Sequence, residues 1–171
     1  MAKIFKAYDI RGITPDDLDA EIAQRIGRAT ARFIGAATLA VGRDARQTSP
    51  ELFEALVRGI NDEGVDVIDL GLVSTPMVYY AVESLAVGGG IMVTASHNPA
   101  QYNGFKICRE HAIPIGEASG LREIEKISLE IANEAPRPKR GTIRSVDVGA
   151  GYIDHVLSVG SEHKPLKIAI D

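Results

Sequence analysis

Thr38–Gly71, TLAVGRDARQTSPELFEALVRGINDEGVDVIDLG, decides the fold of this chain. Thr38 to Val41 is a short apolar run that ends in the polar loop Gly42-Arg43-Asp44-Ala45-Arg46. Ser49-Pro50-Glu51 then reads as a helix start, with serine as N-cap, proline at the first turn and an acid near the positive helix end. Leu52, Phe53, Leu56, Val57 and Ile60 recur at helical spacing, and Gly64 stops the pattern. Val65 to Leu70 is a second apolar strand. Strand, helix and strand in this order form a crossover unit, which predicts parallel pairing.

The same alternation extends in both directions. Upstream, Ile4 to Arg11 reads as a strand, and Asp16 and Asp17 open a helix whose face is Leu18, Ile22, Ile26, Ala29 and Phe33. Downstream come a helix from Thr75-Pro76 to Ser84, a strand from Ile91 to Ala95 and a helix over Glu117–Asn133. Phe105–Cys108 and Ala112–Ile115 are spaced to pair through a tight turn, which would add antiparallel strands. The fold class expected is α/β, a three-layer α/β/α arrangement around a mixed, mostly parallel sheet. Thr142–Val148 reads as a further strand and Asp154–Val159 as a short helix. The stretch Ala135–Gly141, with its small basic run, reads as a solvated linker. Leu166–Ile170 begins another apolar strand inside which the chain stops, so residues 1–160 are expected to form one domain and 161–171 a linker and the first strand of a second.

Composition excludes several function classes. With 171 residues, 45% hydrophobic and 25% charged, the chain has an ordinary globular balance and enough length for a core. The formal net charge of -4 argues against a broad nucleic-acid footprint. No run approaches the roughly 18 apolar residues of a membrane span, and no apolar leader follows Met1. The single Cys108, set in an apolar run, reads as packing, and the expected location is the cytoplasm.

Chemistry concentrates where strands end. The apolar run Ile91-Met92-Val93 leads into Thr94-Ala95-Ser96-His97-Asn98-Pro99, and Lys106 lies ten residues beyond Ser96 after the turn signal Asn103-Gly104. In open α/β sheets ligands bind outside the carboxyl ends of the strands. Ser96 lacks the G-x-S-x-G setting of a hydrolase serine. His97 is adjacent, so in extended chain its ring points to the opposite face. A purely structural serine remains an alternative. Arg11 suits a phosphate through its planar fork, or a structural ion pair with Asp9 or Asp44, whereas Arg43 and Arg46 read as structural. Tyr8 reads as either core packing or a substrate contact, and His97 as either a loop hydrogen-bonder or a substrate contact.

The string Thr94–Pro99 followed by Tyr102-Asn103-Gly104-Phe105-Lys106 resembles the active-site serine loop of the α-D-phosphohexomutases. Tyr8-Asp9-Ile10-Arg11-Gly12 resembles the opening motif of their phosphomannomutase/phosphoglucomutase branch, and Gly42–Arg46 and Gly71–Pro76 resemble two further blocks in the family's order. The resemblance implies the first of four domains around one cleft. It implies that Ser96 carries the phosphoryl group and is a ligand to Mg²⁺, with Lys106 and Arg11 as catalytic charge stabilisers. Tyr8, His97 and Asn98 would shape the substrate site. It further implies a hexose 1,6-bisphosphate as intermediate and activator, a phosphosugar substrate, and the remaining domains as partners. Three aspartates of a D-G-D-x-D-R loop would complete the metal site, and that string does not occur here. Alternatives are a free-standing phosphosugar-binding or scaffold domain and a phosphoglucosamine mutase domain.

Overall fold

The computed structural model describes residues 3–160 and 167–169. Its strands are β1 (Ile10–Ile13), β2 (Thr38–Arg43), β3 (Asp66–Leu72), β4 (Gly89–Val93), β5 (Tyr102–Arg109) and β6 (Ile143–Ser145). The helices are α1 (Ala20–Ile34), α2 (Ser49–Asp62), α3 (Thr75–Ser84), α4 (Leu121–Glu130) and α5 (Gly149–Val159). The strands form one sheet in the order β1-β5-β4-β2-β3-β6. β4, β2, β3 and β6 pair in parallel, and β5 pairs antiparallel with both β4 and β1. β5 therefore runs against the other strands, and the mixed, mostly parallel sheet matches the expectation.

Period-two alternation splits the core into two layers. Leu39, Val41, Ile91 and Val93 pack under α1, α2 and α4, while Ala40, Ile68, Met92 and Cys108 pack under α3. The α1–α2 contact is close because both helices present a glycine at the crossing. A Cβ on Gly27 would lie 2.2 Å from the Leu56 carbonyl oxygen, and one on Gly59 would lie 2.0 Å from that of Gln24.

Local differences from the sequence reading have physical causes. Helix α1 starts at Ala20, where the Asp19 side chain accepts the Ile22 N–H at 2.8 Å, so Asp16 and Asp17 lie before the helix. Ser49 is the first helical residue of α2 rather than its N-cap, and its hydroxyl bonds Asp44 instead. The first strand begins at Ile10, with only a single bridge from Phe5. The antiparallel partners of β5 are β1 and β4; residues 112–115 add only a bridge from Pro114 and flanking hydrogen bonds. The helix expected over 117–133 is interrupted at Gly120 (φ 150°), where a Cβ would strike the Phe33 ring at 2.3 Å. Strand β6 is shorter than read, and α5 longer. Of the strand expected at Leu166–Ile170, residues 166 and 170 lie outside the described residues, and 167–169 are not in a strand.

The basic stretch after Ala135 is tied down rather than simply solvated. Glu63, buried, receives Arg28 and Arg32 from α1 and Arg137 from the loop, and Asp62 pairs with Arg140. Arg28 also donates to the Glu134 and Ala135 carbonyls at 2.7 and 3.2 Å.

Candidate active site

The loop between β4 and β5 is built on the loop that follows β2. Asp44 is the junction. Its carboxylate accepts the Thr94 hydroxyl at 2.7 Å and the Ser49 hydroxyl at 2.6 Å, and its own N–H donates to Val93. Thr94 Oγ1 in turn accepts the Ser96 N–H at 2.9 Å. Behind it, buried Asn103 donates to Thr48 and Ser49 at 2.8 and 3.0 Å. Arg46 spans the loop from below, with its guanidinium hydrogen-bonded to four of the loop's carbonyls.

These contacts hold Ser96 in a left-handed conformation, φ 56°, which a non-glycine residue adopts at some cost. The turn lifts its side chain out to solvent. It also brings His97 Nδ1 to 3.4 Å from Ser96 Oγ, closer than the extended-chain reading predicts, because the chain bends at Ser96. That separation exceeds the 2.6–3.2 Å typical of proton transfer. Asp44 is engaged by Thr94, Ser49 and Arg46, and Asp9 by Arg11 and Lys106. An orienting carboxylate for a Ser-His hydrolase arrangement is therefore not among these contacts.

The cations stand beside the loop. In the register of β1 with β5, Arg11 lies opposite Gly104, so Arg11 and Lys106 project from the same face. Both reach Oδ2 of the buried Asp9, Lys106 Nζ at 3.1 Å and Arg11 through Nη2. Arg11 Nη1 also donates to Asn98 Oδ1 at 2.6 Å, joining the cation pair to the serine loop. Tyr8, Asp9, Arg11, Asn98, Tyr102 and Lys106 line one cavity of about 790 Å³. Four of the six residues picked from sequence thus meet around one space. Ser96 and His97 stand on the adjoining turn and do not line it. Tyr8 is 85% exposed, which removes the core-packing reading.

Two readings from sequence are sharpened. The ion pair of Arg11 with Asp9 is present, and Lys106 shares the same carboxylate. Arg46 is structural, as read, and the structure makes it the clamp of the serine loop, a part that its place in Gly42–Arg46 did not specify.

Lys3, Lys6 and Asp17 line the same cavity, and several other titratable groups lie elsewhere. Cys108 is buried in the core, burial pushes its thiol up to about 11, and its sulfur donates to the Gly90 carbonyl at 3.5 Å. His111 pairs with Glu83 at 3.2 Å and His155 lies against Tyr80, in a separate cavity between α3 and α5. Among the described residues, no group of three or more His, Cys, Asp or Glu side chains is placed to hold a metal ion. Ser96 Oγ by itself does not fit a magnesium site, which takes several oxygen donors. No helix among the described residues is long and apolar enough to cross a membrane.

The fold and this loop define an α/β/α domain that presents an exposed serine beside a paired arginine and lysine. The family pattern described as phosphoglucomutase/phosphomannomutase, alpha/beta/alpha domain I, matches residues 2–135. The chain belongs to the phosphoglucomutase/phosphomannomutase family. It is 44% identical over 173 residues to a phosphomannomutase of Escherichia coli, a match spanning 98% of this chain and 38% of that protein. A phosphomannomutase of Klebsiella pneumoniae is 48% identical over 153 residues, 88% of this chain and 96% of the relative. The crystal structure of a phosphoglucomutase/phosphomannomutase family protein from Burkholderia thailandensis superposes with a TM-score of 0.83 at 35% identity, over 93% of this chain and 36% of that one. The chain spans under two fifths of the length of several of the curated relatives it matches.

Proposed function

We propose that this chain is the nucleophile-bearing domain of a phosphohexomutase that interconverts hexose 1-phosphates and 6-phosphates. In this reading residues 1–160 form that domain, 161–171 lead into a second, and the chain is inactive alone. Its partners are the phosphosugar and the remaining domains, and its location is cytoplasmic.

The observation that carries the reading is the joining of the exposed Ser96 loop to Arg11 through Asn98, and of Arg11 to Lys106 through Asp9. A phosphoserine carries a charge of about -1.5 to -2 at neutral pH. Moving its phosphoryl group onto a second phosphorylated molecule requires nearby positive charge, because this chemistry depends chiefly on positioning and charge neutralisation. In the transfer step the bond from Ser96 Oγ to phosphorus breaks and a bond from a hexose-phosphate hydroxyl to phosphorus forms. The hydroxyl's proton ends on Ser96 Oγ, with Lys106 assisting its passage. The product is a hexose 1,6-bisphosphate. After it turns over, the reverse step returns the other phosphate to Ser96. Tyr8, His97 and Asn98 contact the sugar phosphate. Mg²⁺ would need donors beyond those described here.

Intact-mass and peptide mass spectrometry test this in the native gene product that carries the chain. Incubation with glucose 1,6-bisphosphate and Mg²⁺ should add one phosphoryl group, located on Ser96. Its complete absence would overturn the mutase reading. A second reading is a phosphosugar-binding domain without catalysis. That domain would bind sugar phosphate and leave Ser96 unmodified. A phosphoglucosamine mutase would share the phosphoserine and differ in the sugar accepted.

A further inference from the structure

We infer that Arg46 is the positioning residue that fixes where Ser96 presents its hydroxyl. Arg46 Nη2 donates to the Ser96 carbonyl at 2.8 Å and to that of Asn98 at 2.6 Å. Its Nη1 donates to the carbonyls of Pro99 at 2.9 Å and Tyr102 at 3.1 Å. Nε lies 3.3 Å from Asp44 Oδ2, and the side chain is only 14% exposed. The four acceptors run from the nucleophile to the first residue of β5, so one planar group gathers the whole connection.

The geometry restrains Ser96 on both sides of its α-carbon. Its N–H is held by Thr94 Oγ1, which Asp44 holds, and its C=O is held by Arg46, which Asp44 also faces. A left-handed serine needs such restraint, since nothing in its own preferences keeps it there. Arginine alone supplies this pattern: a rigid fork with five N–H donors can serve four carbonyls in one arc. Lysine offers three donors from a single point and satisfies fewer of them. Arg46 needs no contact with substrate for this. Its catalytic consequence rests on the reading of Ser96 as phosphate carrier.

Hydrogen exchange on the folded chain tests the anchor without any turnover. In Arg46→Ala the amides of Ser96, Asn98 and Tyr102 should exchange at least about tenfold faster, while those of β2 and β3 keep their wild-type rates. Methylguanidinium added to Arg46→Ala should restore much of the loop protection, and ethylammonium should not. Arg46→Lys, which keeps the charge and most of the volume, should show intermediate loop exchange, and it carries the test if the alanine variant fails to fold. Unchanged loop exchange in Arg46→Lys and Arg46→Ala overturns the proposal, as does equal acceleration throughout the core. Phosphorylation of Ser96 at the wild-type rate in Arg46→Lys despite a loosened loop would also overturn it. A wild-type protein that never gains a phosphoryl group counts against the mutase reading alone, because the exchange result does not depend on it.

Discussion

Lys106 Nζ lies 3.1 Å from Oδ2 of Asp9, the same oxygen that Arg11 contacts from the neighbouring strand. One buried carboxylate thereby holds two cations side by side, where like charges would otherwise repel. Asp9→Asn keeps the shape and removes the charge. The variant should lose about 1–3 kcal/mol of stability, the range for leaving charged partners unsatisfied. The loss stays below that of a fully buried pair because Arg11 and Lys106 keep about a quarter of their side-chain surface in water. Urea midpoints measure it. Under the proposed function, phosphoryl transfer to Ser96 falls as well, and raised salt narrows the gap by screening the cations. An unchanged midpoint would mean that Asp9 holds neither.

Ser96 separates chemistry from stability. Ser96→Ala removes the phosphate acceptor, so mass spectrometry should find no phosphoryl group on the loop. Ser96→Gly removes the same acceptor and also relieves the φ of 56°. Glycine accepts that conformation freely, so in thermal melts Ser96→Gly should be more stable than Ser96→Ala by about 0.5–1 kcal/mol. A glycine variant less stable than the alanine variant would show that the left-handed turn is absent in solution.

Much of the fold is legible in the chain because local and global signals agree. Leu39 and Val41 alternate with Ala40, and the two sets enter different core layers. Leu52, Leu56 and Ile60 all lie on the buried face of α2. Errors cluster where a tertiary contact outweighs local preference. Ser49 looks like a cap but bonds Asp44, and Gly120 breaks a helical pattern because the Phe33 ring occupies the space of its missing side chain. In the site, Ser96, Lys106 and Arg11 are legible from residue type and spacing. Arg46 is legible as structural but its partners are not, because they are backbone carbonyls, and carbonyls leave no mark in a sequence.

Burial should make Cys108 inert. Its thiol is pushed up to about 11 by burial. The thiolate is the reactive form. At pH 8 the folded chain should therefore react with a thiol reagent only at the rate at which it opens, and urea-unfolded chain should react at once. Rapid labelling of the folded chain would refute the packing of β5 against α3.

Glu63 makes stability depend on acid. Burial alone would raise its carboxyl pKa, but hydrogen bonds from Arg32, Arg28 and Arg137 outweigh this and hold it below the ordinary value. A depressed carboxylate stabilises the fold fully above its unfolded value of about 4.3, and that contribution is lost as pH falls through the lower folded value. Glu134 shifts the same way, chiefly through Arg32. Wild-type stability should therefore decline below about pH 4.3, and Glu63→Gln should flatten part of that decline. At pH 7 the variant should lose about 3–5 kcal/mol, because Arg28 stays buried without its partner charge. Equal pH slopes in the two proteins, read from urea midpoints between pH 3 and 7, would rule out Glu63 as the titrating group.

The α1–α2 crossing pits helix propensity against space. Alanine in place of a helical glycine ordinarily gains up to about 1 kcal/mol. At Gly59 the new Cβ would sit 2.0 Å from the Gln24 carbonyl oxygen, and backbone cannot swing aside as a side-chain tip can. Overpacking costs about 1–3 kcal/mol where side chains can adjust, so a backbone clash of this depth belongs at or above the top of that range. Gly59→Ala should therefore destabilise the chain by about 2 kcal/mol or more after the propensity gain is counted. Arg58→Ala, one residue away and exposed, should stay within about 0.5 kcal/mol of wild type. Helices forced apart at Gly59 would also tilt α2, whose first turn carries Ser49 and through it Asp44. Gly59→Ala should thus raise hydrogen exchange at Ser96 as well as in the helices, while Arg58→Ala should leave the loop unchanged.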